Sequence, residues 1–260
     1  CLIMKKLLIA DLRRIFKGKG IYVLMILGFI FPAISALIVQ LSGLAANDVA
    51  ELGDLAAEVF NPVALYAGSF NPTQNIGLIL LIVVAVLISG EFTNNTIRNK
   101  IVAGHSKTSL FLSSLVTVLT YVFVVVLVNS SFTYLFNSIS FGLQPFSDYF
   151  KRGLVAYSSI FVIYTIMTLL TYQFKNLAGP LGLVLGIYFV LMMISTIVFS
   201  FNEGTGFKAK VLFYIFPFLY LSGIATPIKL EWLWATLTNV GYLALLTTLG
   251  ILLANRTDYK

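Results

Sequence analysis

Ser109-Leu-Phe-Leu-Ser-Ser-Leu-Val-Thr-Val-Leu-Thr-Tyr-Val-Phe-Val-Val-Val-Leu-Val-Asn-Ser-Ser-Phe-Thr-Tyr-Leu-Phe-Asn-Ser-Ile139 runs for 31 residues without a charge. As a helix it would extend about 46 Å at 1.5 Å per residue. The hydrocarbon layer is about 30 Å thick. The run therefore predicts a membrane span that tilts, bends near Asn129-Ser130-Ser131, or rises above the lipid. Around it the chain is built alike: of 260 residues, 59% are hydrophobic and 10% charged, and the mean hydropathy is +0.96. Soluble domains carry about 25% charged residues. Disordered chains, nucleic-acid modules and disulfide scaffolds are excluded on these grounds, and Cys1 is the sole cysteine.

The fold expected is all-α, with six spans at about 21–41, 74–90, 109–139, 153–174, 178–201 and 231–253. At roughly 20 residues per span, six take up about 120 residues and leave loops but no soluble domain. Residues 74–90 are short for a span, which predicts little tilt or a lengthened end. Val211–Pro227 is apolar but broken by Pro217, Gly223 and Pro227, so it reads as a broken hairpin before the sixth span.

Orientation follows from Lys and Arg. With the N-terminus inside, 12 of the 17 bases are cytoplasmic: Lys5, Lys6, Arg13, Arg14, Lys17, Lys19, Arg98, Lys100, Lys107, Lys175, Arg256 and Lys260. Seven of the ten acids lie outside, and both termini are expected in the cytoplasm. The +7 charge is thus a topology signal and not a nucleic-acid footprint. Residues 3–18 predict an interfacial helix on the inner leaflet, its bases interleaved with Met4, Leu8, Leu12 and Ile15. It is not a cleaved signal peptide, and Met4 reads as a natural start preceded by Cys1-Leu2-Ile3. A lipidated Cys1 is the alternative.

Every acid and base is expected in a loop or at a span end, so no ion-coupling residue lies at mid-membrane. Enzyme chemistry fits poorly. His105 is the only histidine and sits in a polar loop. Gly104-His105-Ser106-Lys107-Thr108 lacks the glycines of a phosphate loop, and Gly204-Thr205-Gly206-Phe207-Lys208-Ala209 follows a span, not a strand. No catalytic, cofactor or metal residue is assigned, and no cofactor is expected on this chain.

The loop with internal order is Glu91-Phe-Thr-Asn-Asn-Thr-Ile-Arg-Asn-Lys-Ile-Val-Ala-Gly-His-Ser-Lys-Thr-Ser109. Thr93 or Asn94 would cap a short helix with Ile97, Ile101 and Val102 on its apolar face, flanked by Arg98 and Lys100. Gly104 would stop it. A solvated connector is the plainer reading.

In spelling, Glu91, then Asn95-Thr96-Ile97-Arg98, then Gly104-His105-Ser106-Lys107 resembles the permease subunits of type-2 ABC exporters. In layout the whole chain is similar to that family, and nearest to peptide-export and lantibiotic-immunity permeases of bacteria. Asn95 departs from the glycine usual there. The resemblance implies a single permease domain over 1–260. It also implies a coupling helix between spans two and three, seated in a separate cytoplasmic ATPase. Two copies of that ATPase, which would bind ATP and Mg, would serve two permeases in a bacterial plasma membrane. The coupling residues it implies are Glu91, Thr96, Ile97, Arg98, Lys100, Gly104, Ser106 and Lys107, with Met4–Lys17 as a second contact. An amphipathic or antimicrobial-type peptide is the implied cargo. The rivals are an ATPase-independent channel or scaffold, and a small-molecule uptake subunit that borrows an ATPase.

Other features carry two readings each. Leu44–Phe60 has an acidic side (Asp48, Glu51, Asp54, Glu58), which suits an outer interfacial helix or an acidic vestibule. Gly182 and Gly186 form a GxxxG suited to intramolecular packing or to a homodimer seam. Asn129, Ser130, Ser131, Thr133 and Asn137, and likewise Thr165, Thr168 and Thr171, suit interhelical hydrogen bonds or a translocation path. Phe213, Tyr214, Phe216, Phe218 and Tyr220 suggest an outer gate, and Trp232 and Trp234 an interface belt.

Overall fold

The structure is a computed structural model that describes residues 2–46, 62–73, 75–143, 145–201, 211, 215–216, 219, 221 and 231–257. Nine helices are described, and no strand occurs among the described residues: α1 Leu2–Lys17, α2 Lys19–Ala46, α3 Pro62–Gly68, α4 Asn75–Thr93, α5 Thr96–Val102, α6 Lys107–Phe141, α7 Phe146–Phe174, α8 Ala178–Phe201 and α9 Trp232–Arg256. Six of them, α2, α4, α6, α7, α8 and α9, are long and apolar enough to cross a membrane. The protein is thus an all-α polytopic membrane protein.

Half or more of the apolar window is buried in α4 (50%), α6 (56%) and α7 (67%). In α2, α8 and α9 the figures are 22, 22 and 17%, so these three helices stand outside a central trio. The trio packs through Leu80, Leu81, Val84, Phe111, Val122, Val125, Tyr164 and Met167, all fully buried. α2 lies along α6, and α9 lies against α7.

Most spans begin or end a few residues from the expected positions. α4 continues past residue 90 to Thr93, α7 starts at Phe146 and not 153, and α6 reaches Phe141. α6 needs no break at Asn129–Ser131; it is one helix of 35 residues, about 52 Å long. The short α4 gains its extra length at its last end, and beside its first end lies a feature that composition did not signal. Helix α3 and the turn after it lie along the last third of α6 and against the start of α7, burying Tyr66, Ala67, Phe70 and Asn71. Asn129 Nδ2 donates to Ser69 O at 2.9 Å, and Asn137 Nδ2 donates to Pro62 O at 2.9 Å. Two members of the polar stretch on α6 thus bind the backbone of this cap. The turn lies so close to α4 that a Cβ on Gly77 would sit 2.0 Å from Asn71 O.

The threonine stripe on α7 bonds within its own helix: Thr165, Thr168 and Thr171 donate to Phe161, Tyr164 and Met167 carbonyls at 2.8 Å each. All three are fully buried, and their hydroxyls donate within α7 and not to a neighbouring helix. Leu44–Phe60 lies almost wholly outside the described residues. So do four of the five gate aromatics, Phe213, Tyr214, Phe218 and Tyr220; Phe216 is described and half-buried.

Candidate functional site: a charged clasp beneath the loop helix

The bundle has a basic end, where α1, α5, the start of α6 and the end of α9 come together. Helix α5 forms where expected, but its cap differs. Neither Thr93 nor Asn94 starts it; Asn95 does, at φ 54°, ψ 19° and without a side-chain cap bond. Asparagine enters this left-handed region more readily than other residues with a Cβ. At the far end Gly104 takes φ +88°, its N–H bonding Ile101 O at 2.9 Å. Ser106 then caps α6, its hydroxyl oxygen accepting from Ser109 N at 3.2 Å.

The apolar face of α5 points into the protein. Ile97 is buried in the main core, and Ile101 packs against it. Val102, expected on that same face, instead projects outward at 82% exposure. Arg98, Asn99 and Val102 form the face that looks away from the bundle.

Lys100 turns inward, its side chain 14% exposed. Its Nζ donates to Asp11 Oδ1 at 2.8 Å and to Glu91 Oε2 at 3.2 Å. Arg14 Nη2 donates to Glu91 Oε1 and lies 3.9 Å from Asp11 Oδ1. Ser113 Oγ completes the cluster with a bond to Asp11 Oδ2 at 2.8 Å. Two carboxylates, both buried, thus face two cations, and the cluster is neutral. It stitches α1 (Asp11, Arg14) to α4 (Glu91), α5 (Lys100) and α6 (Ser113).

Helix α1 is more than a helix laid on a membrane surface. Its buried face is Leu7, Asp11 and Ile15, at i, i+4, i+8, and it packs along α6. Met4, expected on the apolar side, is 43% exposed. Sequence reasoning missed Asp11, Arg14 and Ser113. The available signal was a carboxylate between two apolar residues on one helical face, where a charge needs a partner.

Lys107 closes the loop on its other side. Its Nζ donates to Thr257 O at 2.8 Å, and Thr108 Oγ1 donates to Asn255 Oδ1 at 2.9 Å, tying the start of α6 to the end of α9. Of the residues singled out in this loop, the structure brings Glu91 and Lys100 together and buries Ile97. Arg98 and Ser106 are exposed, Thr96 is half-buried, and Lys107 lies apart from the clasp.

Among the described residues nothing packs on Gly182 or Gly186: a Cβ on either would meet nothing within 4 Å. They share the outward face of α8 with Leu183, Ile187 and Val190. Among the described residues no group of three His, Cys, Asp or Glu is arranged to hold a metal ion. No protein-family model matches this chain, and no curated protein matches it.

Proposed function

We propose that this chain is the membrane-spanning subunit of an ATP-driven exporter of the type-2 ABC kind, with ATP and Mg bound by a separate ATPase. The observation that carries the reading is the mounting of α5. A seven-residue helix hangs at the basic end by Ile97 and Lys100, with Arg98, Asn99 and Val102 turned outward. A push on that face bears on the core contacts of Ile97 and Ile101 and on the Lys100 ion pairs. The clasp passes it to α1, α4 and α6 together, and the spans move as levers. The left-handed Asn95 supports the resemblance in particular, because its backbone takes the conformation in which glycine would be at ease.

In this reading the basic end faces the cytoplasm of a bacterium, and Arg98 and Val102 contact the ATPase. The exposed α8 face with Gly182 and Gly186 suits contact with a second permease copy. The cargo is an amphipathic peptide, which would enter a path without mid-membrane charge. The chain itself performs no catalysis.

The test uses a cysteine at Val102, with Cys1 replaced by Ser, in native membranes. Cross-linking is expected to join it to an ATP-hydrolysing protein, and Arg98→Glu is expected to abolish that adduct and ATP-dependent export while membrane insertion persists. Lys100 is left alone, because its reversal would break the clasp as well. Modification of the Val102 cysteine from outside the cell by an impermeant reagent would defeat the reading, as would export by the purified chain alone.

A further inference from the structure

A cavity of about 740 Å³ opens between α6, α7 and α9, away from the clasp. At the α3 end stand three tyrosines, Tyr66, Tyr134 and Tyr149, with ring centroids 4.7 Å (Tyr66–Tyr149) and 4.9 Å (Tyr134–Tyr149) apart. Midway, Ser130 Oγ and Tyr157 OH share a hydrogen bond of 2.8 Å. Ser158 also lines the wall beside that pair, and Phe123, Phe161 and Leu243 stand at the deep end.

The cavity follows α7 from Phe146 to Phe161, about 22 Å at 1.5 Å per residue. That exceeds one leaflet's share of the hydrocarbon layer, about 15 Å, by little more than the interfacial zone. Its mouth is continuous with the membrane-facing surface of the bundle, since the lining residues Leu127, Leu135, Phe150 and Val240 are 44 to 54% exposed. An occupant therefore arrives sideways, from lipid. The lining is mainly apolar throughout, with tyrosine rings and Thr236 toward the α3 end and Phe123, Phe161 and Leu243 at the deep end, which suits a long apolar tail.

We infer that this cavity is a binding site for one acyl chain of a bilayer phospholipid from the leaflet at the α3 end. The ester region rests against the tyrosines, and the chain terminus lies between Phe123 and Phe161. Glycine at 153 keeps the wall thin: a Cβ there would come 3.1 Å from the Tyr66 hydroxyl. The site is independent of the exporter reading, since it needs only a membrane around the bundle.

The test places the full chain in nanodiscs of phosphatidylethanolamine and phosphatidylglycerol, with a trace of phosphatidylcholine bearing a diazirine at the end of one acyl chain. After irradiation, adducts are expected at Tyr157, Phe161 or Leu243, and also at Val190, which is 57% exposed on α8 and reports general lipid contact. In Leu154→Trp, which fills the cavity from α7, the cavity adducts should vanish while the Val190 adduct stays. Should that variant fail to elute as a folded species, Leu243→Phe narrows the same space from α9 and gives the same reading. Labelling confined to exposed positions would overturn the site, as would cavity adducts indifferent to filling. Labelling of Tyr157 by an amphipathic peptide probe but not by the phospholipid would also overturn it, and would assign the cavity to cargo.

Discussion

The two ends of α6 each hold a connecting segment, and they do so by opposite chemistry. At the basic end Ser113 joins a cluster of two acids and two bases that fastens α1, α4 and α5. At the other end Asn129 and Asn137 grip the carbonyls of the α3 cap, and Tyr66, Phe70 and Tyr149 stack edge to face around it. Residues 62–73 of the cap contain no charge. Neutral amide bonds and ring contacts need close fit and little else, so the cap is a fixture. Ion pairs hold strongly only while all partners stay, and they re-form after a displacement. The clasp is therefore the end more sensitive to the loss of a single partner.

The largest effect should come from tightening the cap. Gly77→Ala places a methyl group 2.0 Å from a backbone oxygen, which no side-chain adjustment relieves. Loss of the folded species on gel filtration is expected; a normal elution profile with an unchanged Tm would refute the close packing of the turn on α4.

The clasp comes next. Lys100→Met leaves the buried Asp11 with Ser113 as its one partner closer than 3.5 Å. Removal of one member of a buried ion pair costs on the order of 3 kcal/mol. Thermal unfolding in detergent should register this as a clear fall in Tm. Adding Asp11→Asn should recover part of it, because the stranded charge is gone. If the double variant is worse by the sum of the two, the residues are not coupled.

Asn129→Ala sharpens the comparison from the cap side. It removes one amide-to-carbonyl bond, and polar contacts inside membrane proteins are worth about 1 kcal/mol. The unfolding midpoint should fall less than in Lys100→Met, and a larger fall would reverse the ranking of the two ends. The smallest effect is expected at Asn95, where glycine should be neutral or slightly stabilising. Valine there should cost roughly 1–2 kcal/mol, since its branched side chain resists a left-handed backbone.

The six spans were readable in the sequence because each is a long apolar run and length alone decides it. Their ends were less so: Lys107, Phe146 and Thr93 are helical since polar residues extend a helix once it leaves the lipid, and hydropathy does not see them. The loop helix α5 could be placed from Gly104 and its spacing, and Ile97 and Ile101 face the core as that spacing predicts, but the residues on either side of Ile101 do not follow it. Lys100 and Val102 sit only two residues apart; which one turns inward depends on Asp11, 89 positions earlier. The cap was invisible for a related reason. Pro62–Gly68 is seven residues long, and what holds it are amides on α6 that local pattern could assign equally well to a helix contact or a pore.

One consequence of the uninterrupted α6 concerns spacing. Each residue of an α-helix turns the chain by about 100°. A single alanine inserted between Thr117 and Val126 would keep Ser113 facing Asp11 yet swing Asn129 and Asn137 a quarter turn or more away from the carbonyls they bind. Length along this strut is therefore a phase relation between two faces of a membrane, and one-residue insertions and deletions within it should be far less tolerated than most substitutions at the same positions.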